Sequence, residues 1–174
     1  DKPILDSLGI DKNKPEKQQR NQTGSPILEE GDILLNTTLA ETNDWQQVDL
    51  PVMRTLRHFC IETLSSYTED NQACISEVDL LDDKGQPIDK TKWEVVYVSS
   101  EQADKNLGIA ENLFDGDISS FWHTDPATEP GQPHRIIVDI KEIYKISALR
   151  FKVRKGAFLS GKVKEINVYG RPQF

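Results

Sequence analysis

From Leu50 onward, apolar residues recur at every second position in short runs, and each run is closed by a turn. Successive side chains of a strand point to opposite faces, so this period of two marks half-buried β-strands rather than helices. LRHFCIETL (56–64) alternates Phe59 and Ile61 with polar neighbours, and CISEVDLL (74–81) follows after the polar turn SSYTEDNQ. WEVVYVSS (93–100) places Trp93, Val95 and Tyr97 on one face. RIIVDI (135–140), SALRFKV (147–153) and VKEINVY (163–169) supply Ile136/Val138/Ile140, Leu149/Phe151/Val153 and Ile166/Val168. The turn DDKGQPIDK carries Lys84-Gly85 and Pro87, residues suited to chain reversal. Only GIAENLF (108–114) suggests a short helical turn, and KEIYKI (141–146) reads as a strand connection. Many short strands without βαβ alternation predict an all-β chain, an antiparallel β-sandwich or jelly roll.

A chain of 174 residues is one domain's worth and long enough to bury a real core. Residues 1–31 lack either hydrophobic period and read as a lead-in or linker, with ILDSLGI and PILEEGDILL as apolar anchors. Residues 32–174 then form the sandwich. Lys and Arg number 21 against 29 Asp and Glu, a formal charge of -8 without a basic stripe, which speaks against nucleic acid as a partner. The same charge suits neutral sugars and divalent cations. No run approaches the roughly 20 apolar residues that cross a bilayer. The chain opens on Asp1, which reads as a processed or trimmed chain. Cys60 and Cys74 are either two small buried hydrophobes or a single bridge closing a short loop.

AENLFDGDISSFWHT (110–124) carries the most chemistry. Asp115-Gly116-Asp117 sets two carboxylates around a flexible turn, and hard oxygen ligands on a tight loop suit calcium. An EF-hand is excluded, because its required Gly and Glu positions, counted from Asp115, hold Ser120 and Pro126. The plain alternative is a turn whose Asp side chains cap backbone amides. Phe121-Trp122 pins the turn to the core either way.

FDGDISSFWHT, QPHRIIVDI and SALRFKVRKGAFLSGKVKEINVYG together resemble the discoidin, or coagulation-factor 5/8 type C, family of galactose-binding-like domains. The resemblance covers about residues 93–170, with three motifs in the family's order. Residues 50–82 also carry a discoidin-like phrase, RHFCIETLS…ISEVDLL, normally found near the end of such a domain. They are either part of one elaborated sandwich or a partial second unit, and fifty residues bury a separate core poorly.

The resemblance implies a structural calcium beside the Asp-Gly-Asp turn. Asp115 and Asp117 would give side-chain oxygens, Asn112 and Ser120 backbone carbonyls, and the C-terminal strand the carbonyl of Lys164 and the carboxylate of Glu165. It also implies a sugar site on the loops at one end of the sandwich. Sugar recognition needs an aromatic face and planar polar groups. Phe158 would stack, Arg154 stands where the family has its "P-R", and Glu101, Lys105 and Thr124, with Asp125, would form the rim. His123 is a hydrogen-bonding loop residue beside it. Phe158 as a plug, and Arg154 paired with Asp117 or Asp125, are the structural alternatives.

The expected function is a non-catalytic carbohydrate-binding module: extracellular, on the cell surface or periplasmic, and tethered upstream to a larger polypeptide or membrane anchor. An adhesion module recognising protein or phospholipid, and an accessory domain of a glycoside hydrolase, are the alternatives. No H-E-x-x-H, G-x-S-x-G or Gly-rich phosphate loop is present to support an enzyme.

Overall fold

The computed structural model describes residues 15–16, 20–22, 24–127, 131–153 and 161–173. Among these residues seven strands appear in chain order: β1 Ile33–Thr38, β2 Gln46–Thr63, β3 Cys74–Asp82, β4 Glu94–Val98, β5 Trp122–His123, β6 His134–Val153 and β7 Glu165–Arg171. Short 3-10 turns at Glu30–Asp32, Asp104–Asn106 and Ala110–Phe114 are the helical elements among the described residues. Every pairing between these strands is antiparallel.

Two long strands make the sandwich. β2 and β6 run side by side, Gln46 opposite Phe151 at one end and Thr63 opposite His134 at the other. Their register slips between Asp49 and Arg54 and again between Leu56 and His58. Such bulges bend a strand and raise its twist. Here they let one ribbon serve two layers. In the first layer β2 (58–63) lies between β7 and β6, with β1 outside β7 and β4 outside β6. In the second layer β6 (146–153) lies between β2 and β3, with β5 beyond β3. The chain is an antiparallel β-sandwich.

The alternating residues meet between the layers. Leu56, Phe59, Ile61, Ile75, Val78, Leu80, Ile136, Val138, Leu149, Phe151, Ile166 and Val168 are all buried in one cluster. Phe59, Trp93 and Phe114 form an aromatic row, with successive centroids 5.4 and 5.5 Å apart. Trp122 is fully buried, and its indole N–H donates to the Ser100 carbonyl at 3.0 Å.

The structure departs from the sequence reading in three places. KEIYKI is not a break between two strands but the middle of β6, and Lys141 takes φ +73° while its amide donates to Asp139. Tyr97 does not share the core face of Val95, because a register shift between Val95 and Tyr97 turns Val98 inward instead. Residues 33–38 and 46–49, given no strand on the sequence pattern, form all of β1 and the start of β2. Cys60 and Cys74 are buried thiols, not a disulfide. Burial pushes the Cys60 thiol far above its ordinary range.

Candidate functional site

Two features converge on the loops around β5. The first is the turn that follows the 3-10 turn Ala110–Phe114. Asp115 stays in the right-handed region, and Gly116 then takes φ +81°, where a side chain is strained. The carboxylate of Asp115 accepts from the Asp117 amide at 2.9 Å and from the Ser120 hydroxyl at 2.5 Å. Asp117 accepts from the Ser119 amide at 2.9 Å. Each Asp therefore caps its own turn.

Behind that turn lies Glu77 of β3, only 1 % exposed. Its Oε2 accepts from the Gly116 amide at 3.1 Å and also meets the Lys90 ammonium. Its Oε1 is buried with no hydrogen-bond partner. Lys90 also contacts Asp79 at 2.6 Å, and Asp79 holds Arg150 at 2.8 Å. Burial pushes the Glu77 carboxyl up to about 7, although the Lys90 ammonium and the Gly116 amide both pull it down.

The second feature is a cleft of about 430 Å³ at the loop end. Arg20, Gln22, Val98, Glu101, Asp104 and Asp125 are among its lining residues. The lead-in builds one wall. Arg20 donates to Glu101 at 3.2 Å and to Glu111 at 2.7 Å. The Gln22 amide brackets Val98, accepting its N–H at 3.2 Å and donating to its carbonyl, so it continues the free edge of β4. Opposite, the Asp125 amide donates to the Ser100 hydroxyl at 2.7 Å. Next to Glu101 in the chain, Gln102 joins Gly108 and His123 in a backbone junction: Gln102 N to His123 O at 2.8 Å, His123 N to Gly108 O at 3.1 Å, and Gly108 N to Gln102 O at 2.8 Å. Carboxylates, a guanidinium and an amide thus face one concave surface of a size that holds a small ligand.

Residues 95–173 match the F5/8 type C domain family. Over that span the chain is similar to an F5/8 type C domain. A sialidase from Micromonospora viridifaciens is 33 % identical to the chain over 84 residues. That stretch is 47 % of this chain and 13 % of the sialidase, so the chain spans a small part of its relative's length.

Within the matched span, the residues expected to bind calcium do not gather into one shell. Asp115, Asp117 and Ser120 share the turn, with Asn112 close behind. The Asn112 amide donates to the carbonyls of Asn106 and Phe121, both at 3.1 Å. Lys164 and Glu165 belong elsewhere. The Lys164 carbonyl accepts from the Leu39 amide at 2.7 Å, and Glu165 pairs with Thr38 across β1 and β7 and receives the Asn36 amide at 3.3 Å. The carboxylate that does meet the turn is Glu77. Among the described residues no three His, Cys, Asp or Glu side chains gather as a preformed metal cluster.

The expected sugar-binding residues divide as well. Glu101 lines the cleft, and Lys105 sits exposed on the adjoining 3-10 turn at φ +52°. Thr124, expected at the rim, is buried at 0 % exposure, and His123, expected as a hydrogen-bonding residue beside the sugar, is buried at 4 %, a correction to both as ligand contacts. Their side chains are spent inside: His123 Nδ1 lies 2.6 Å from the Thr124 carbonyl, and the Thr124 hydroxyl donates to Gln72 at 2.6 Å while accepting the Ala73 amide at 3.0 Å. Arg154 and Phe158 lie outside the described residues. Sequence reading missed Arg20, Gln22, Glu77 and Lys90. The first two sit in a stretch that carries no period, and the others touch the site only through the fold.

Proposed function

We propose that this chain is a non-catalytic carbohydrate-binding module that serves glycan recognition beside a degrading enzyme, outside the cytoplasm. The observation that carries the reading is the loop-end cleft, in which the planar polar groups of Glu101, Asp104, Asp125, Gln22 and Arg20 face one open concavity. Planar carboxylate, amide and guanidinium groups suit the paired hydroxyls of a sugar. The match of the domain to part of a sialidase supports an accessory role beside a glycan-processing enzyme. The test is a glycan array with the whole chain and with Glu101→Ala. Binding by the wild type that falls at least tenfold in the variant is expected. No binding to any glycan overturns the reading.

We further propose that calcium binds beside the Asp115–Ser120 turn, with Asp115 and Glu77 as its carboxylate ligands. The donor set fits by its chemistry: oxygen donors only, with the buried Oε1 of Glu77 lacking any partner. Lys90 stands on the same carboxylate, so the ion and the ammonium compete for Glu77. Binding to the folded state alone raises its stability. Calcium should therefore raise the melting temperature, EDTA should reverse the rise, and Glu77→Gln should abolish it. A melting curve indifferent to both reagents overturns the assignment.

A further inference from the structure

Trp45 is placed differently from the other tryptophans. Trp93 and Trp122 are buried at 6 % and 0 %, whereas Trp45 is 39 % exposed. Gln46 opposes Phe151, Val48 opposes Leu149, and Leu50 is buried, so the even positions of this stretch face the core. Trp45, Gln47 and Asp49 then share the outer face of the second layer, and all three are exposed.

The ring is held from beneath. The Arg150 guanidinium lies 5.1 Å from the Trp45 ring centroid, within cation–π range. Asp79 anchors that guanidinium at 2.8 Å, and Asp79 is itself held by Lys90. Lys152 Nζ donates to the Asn43 carbonyl at 2.5 Å, which fixes the chain just before the ring. A large apolar ring kept in water and locked in orientation is a preorganised contact surface. Next to it the Gln47 amide donates to the Asp49 carboxylate at 2.9 Å. These side chains follow at steps of about 7 Å along the strand.

We propose that Trp45 is a second carbohydrate platform on the sheet face, stacking the C–H face of a neutral pyranose while Gln47 and Asp49 hydrogen-bond the hydroxyls of the adjoining unit. An apolar ring flanked by planar polar groups is the pairing that a pyranose needs. The formal charge of -8 and the carboxylate of Asp49 disfavour an acidic sugar. The platform lies on the sheet face and shares no lining residue with the loop-end cleft, and it rests on the carbohydrate-binding reading above.

The test uses an array of neutral gluco-, galacto- and N-acetylglucosamine oligosaccharides with the whole chain, Trp45→Ala, Trp45→Phe and Glu101→Ala. Trp45→Ala should weaken binding to oligosaccharides at least tenfold while keeping the wild-type melting temperature and far-ultraviolet dichroism. Trp45→Phe should retain part of the binding. A sugar-induced change in tryptophan fluorescence should disappear in Trp45→Phe, because the remaining tryptophans are buried. If Trp45→Ala binds like the wild type while Glu101→Ala does not, the platform is overturned and the loop-end site stands. If the wild type binds none of the sugars, both fall together.

Discussion

Glu62 shows how a nearly buried charge is kept in this sandwich. It is 4 % exposed near the end of β2, yet three partners reach it: Arg135 at 2.5 Å, Asn167 at 3.0 Å and the Tyr169 hydroxyl at 3.1 Å. Burial pushes its carboxyl up, but the bonds from Asn167, Arg135 and Tyr169 outweigh that and hold it below the usual carboxylate range. A lowered folded-state pKa gives stability that is present above the unfolded value and lost as pH falls through the folded one. Thermal stability should therefore decline as pH drops below about 4.5, the ordinary Glu value. Glu62→Gln should flatten that decline, and melting curves taken from pH 6 to pH 2.5 measure it. An unchanged acid slope in the variant would show that Glu62 does not supply the effect.

The β5 element is small, two residues, but it is tied at both ends. Trp122 pairs with Ile75 and His123 with Cys74, while the backbone of His123 also meets Gln102 and Gly108. Gly108 is required here by close approach rather than by its dihedrals. A Cβ at that position would stand 2.8 Å from the His123 Cβ and 3.0 Å from its amide nitrogen. Backbone cannot give way as a side-chain tip can, so overpacking of about 1–3 kcal/mol follows. Gly108→Ala should lower the unfolding free energy by that amount, read as a lower urea midpoint, and weaken glycan binding, since the junction adjoins Glu101 of the cleft. A variant with wild-type stability would mean that the loop relaxes freely.

The molecule as a whole depends on strands distant in sequence. β6 is flanked by β2 along its whole length, by β4 at its start and by β3 at its end. The span that matches the F5/8 type C family, 95–173, leaves out β1, β2 and β3. Without them β6 keeps only β4 at its start, its 146–153 part loses its neighbours on both sides, and the apolar residues there face water. A fragment of residues 93–174 should therefore be unfolded or aggregated by far-ultraviolet dichroism and size exclusion. Adding a fragment of residues 24–92 should restore part of the strand signal. A cooperative melt from 93–174 alone would show that the matched span is a folding unit.

Period-two alternation is a local property, since Phe59/Ile61, Leu149/Phe151/Val153 and Ile166/Val168 face the core whichever strands they meet. The all-β class, most strand positions and the Asp-Gly-Asp turn were legible for that reason. Partnership across the sheet is not local. The resemblance puts Glu165 of the closing strand beside the turn, yet β7 sets it against β1. The phrase ISEVDLL, which resembles the end of such a domain, already contained Glu77 and was the available signal. Only the β3 register carries that carboxylate to Gly116. Arg20 and Gln22 gave no signal at all, because a residue that docks from an aperiodic lead-in is specified by the surface it meets. Burial likewise decided His123 and Thr124. The alternation of side chains along a strand belongs to the chain, but which strands become neighbours, and so which carboxylate meets which turn, is settled when two layers close over a shared core.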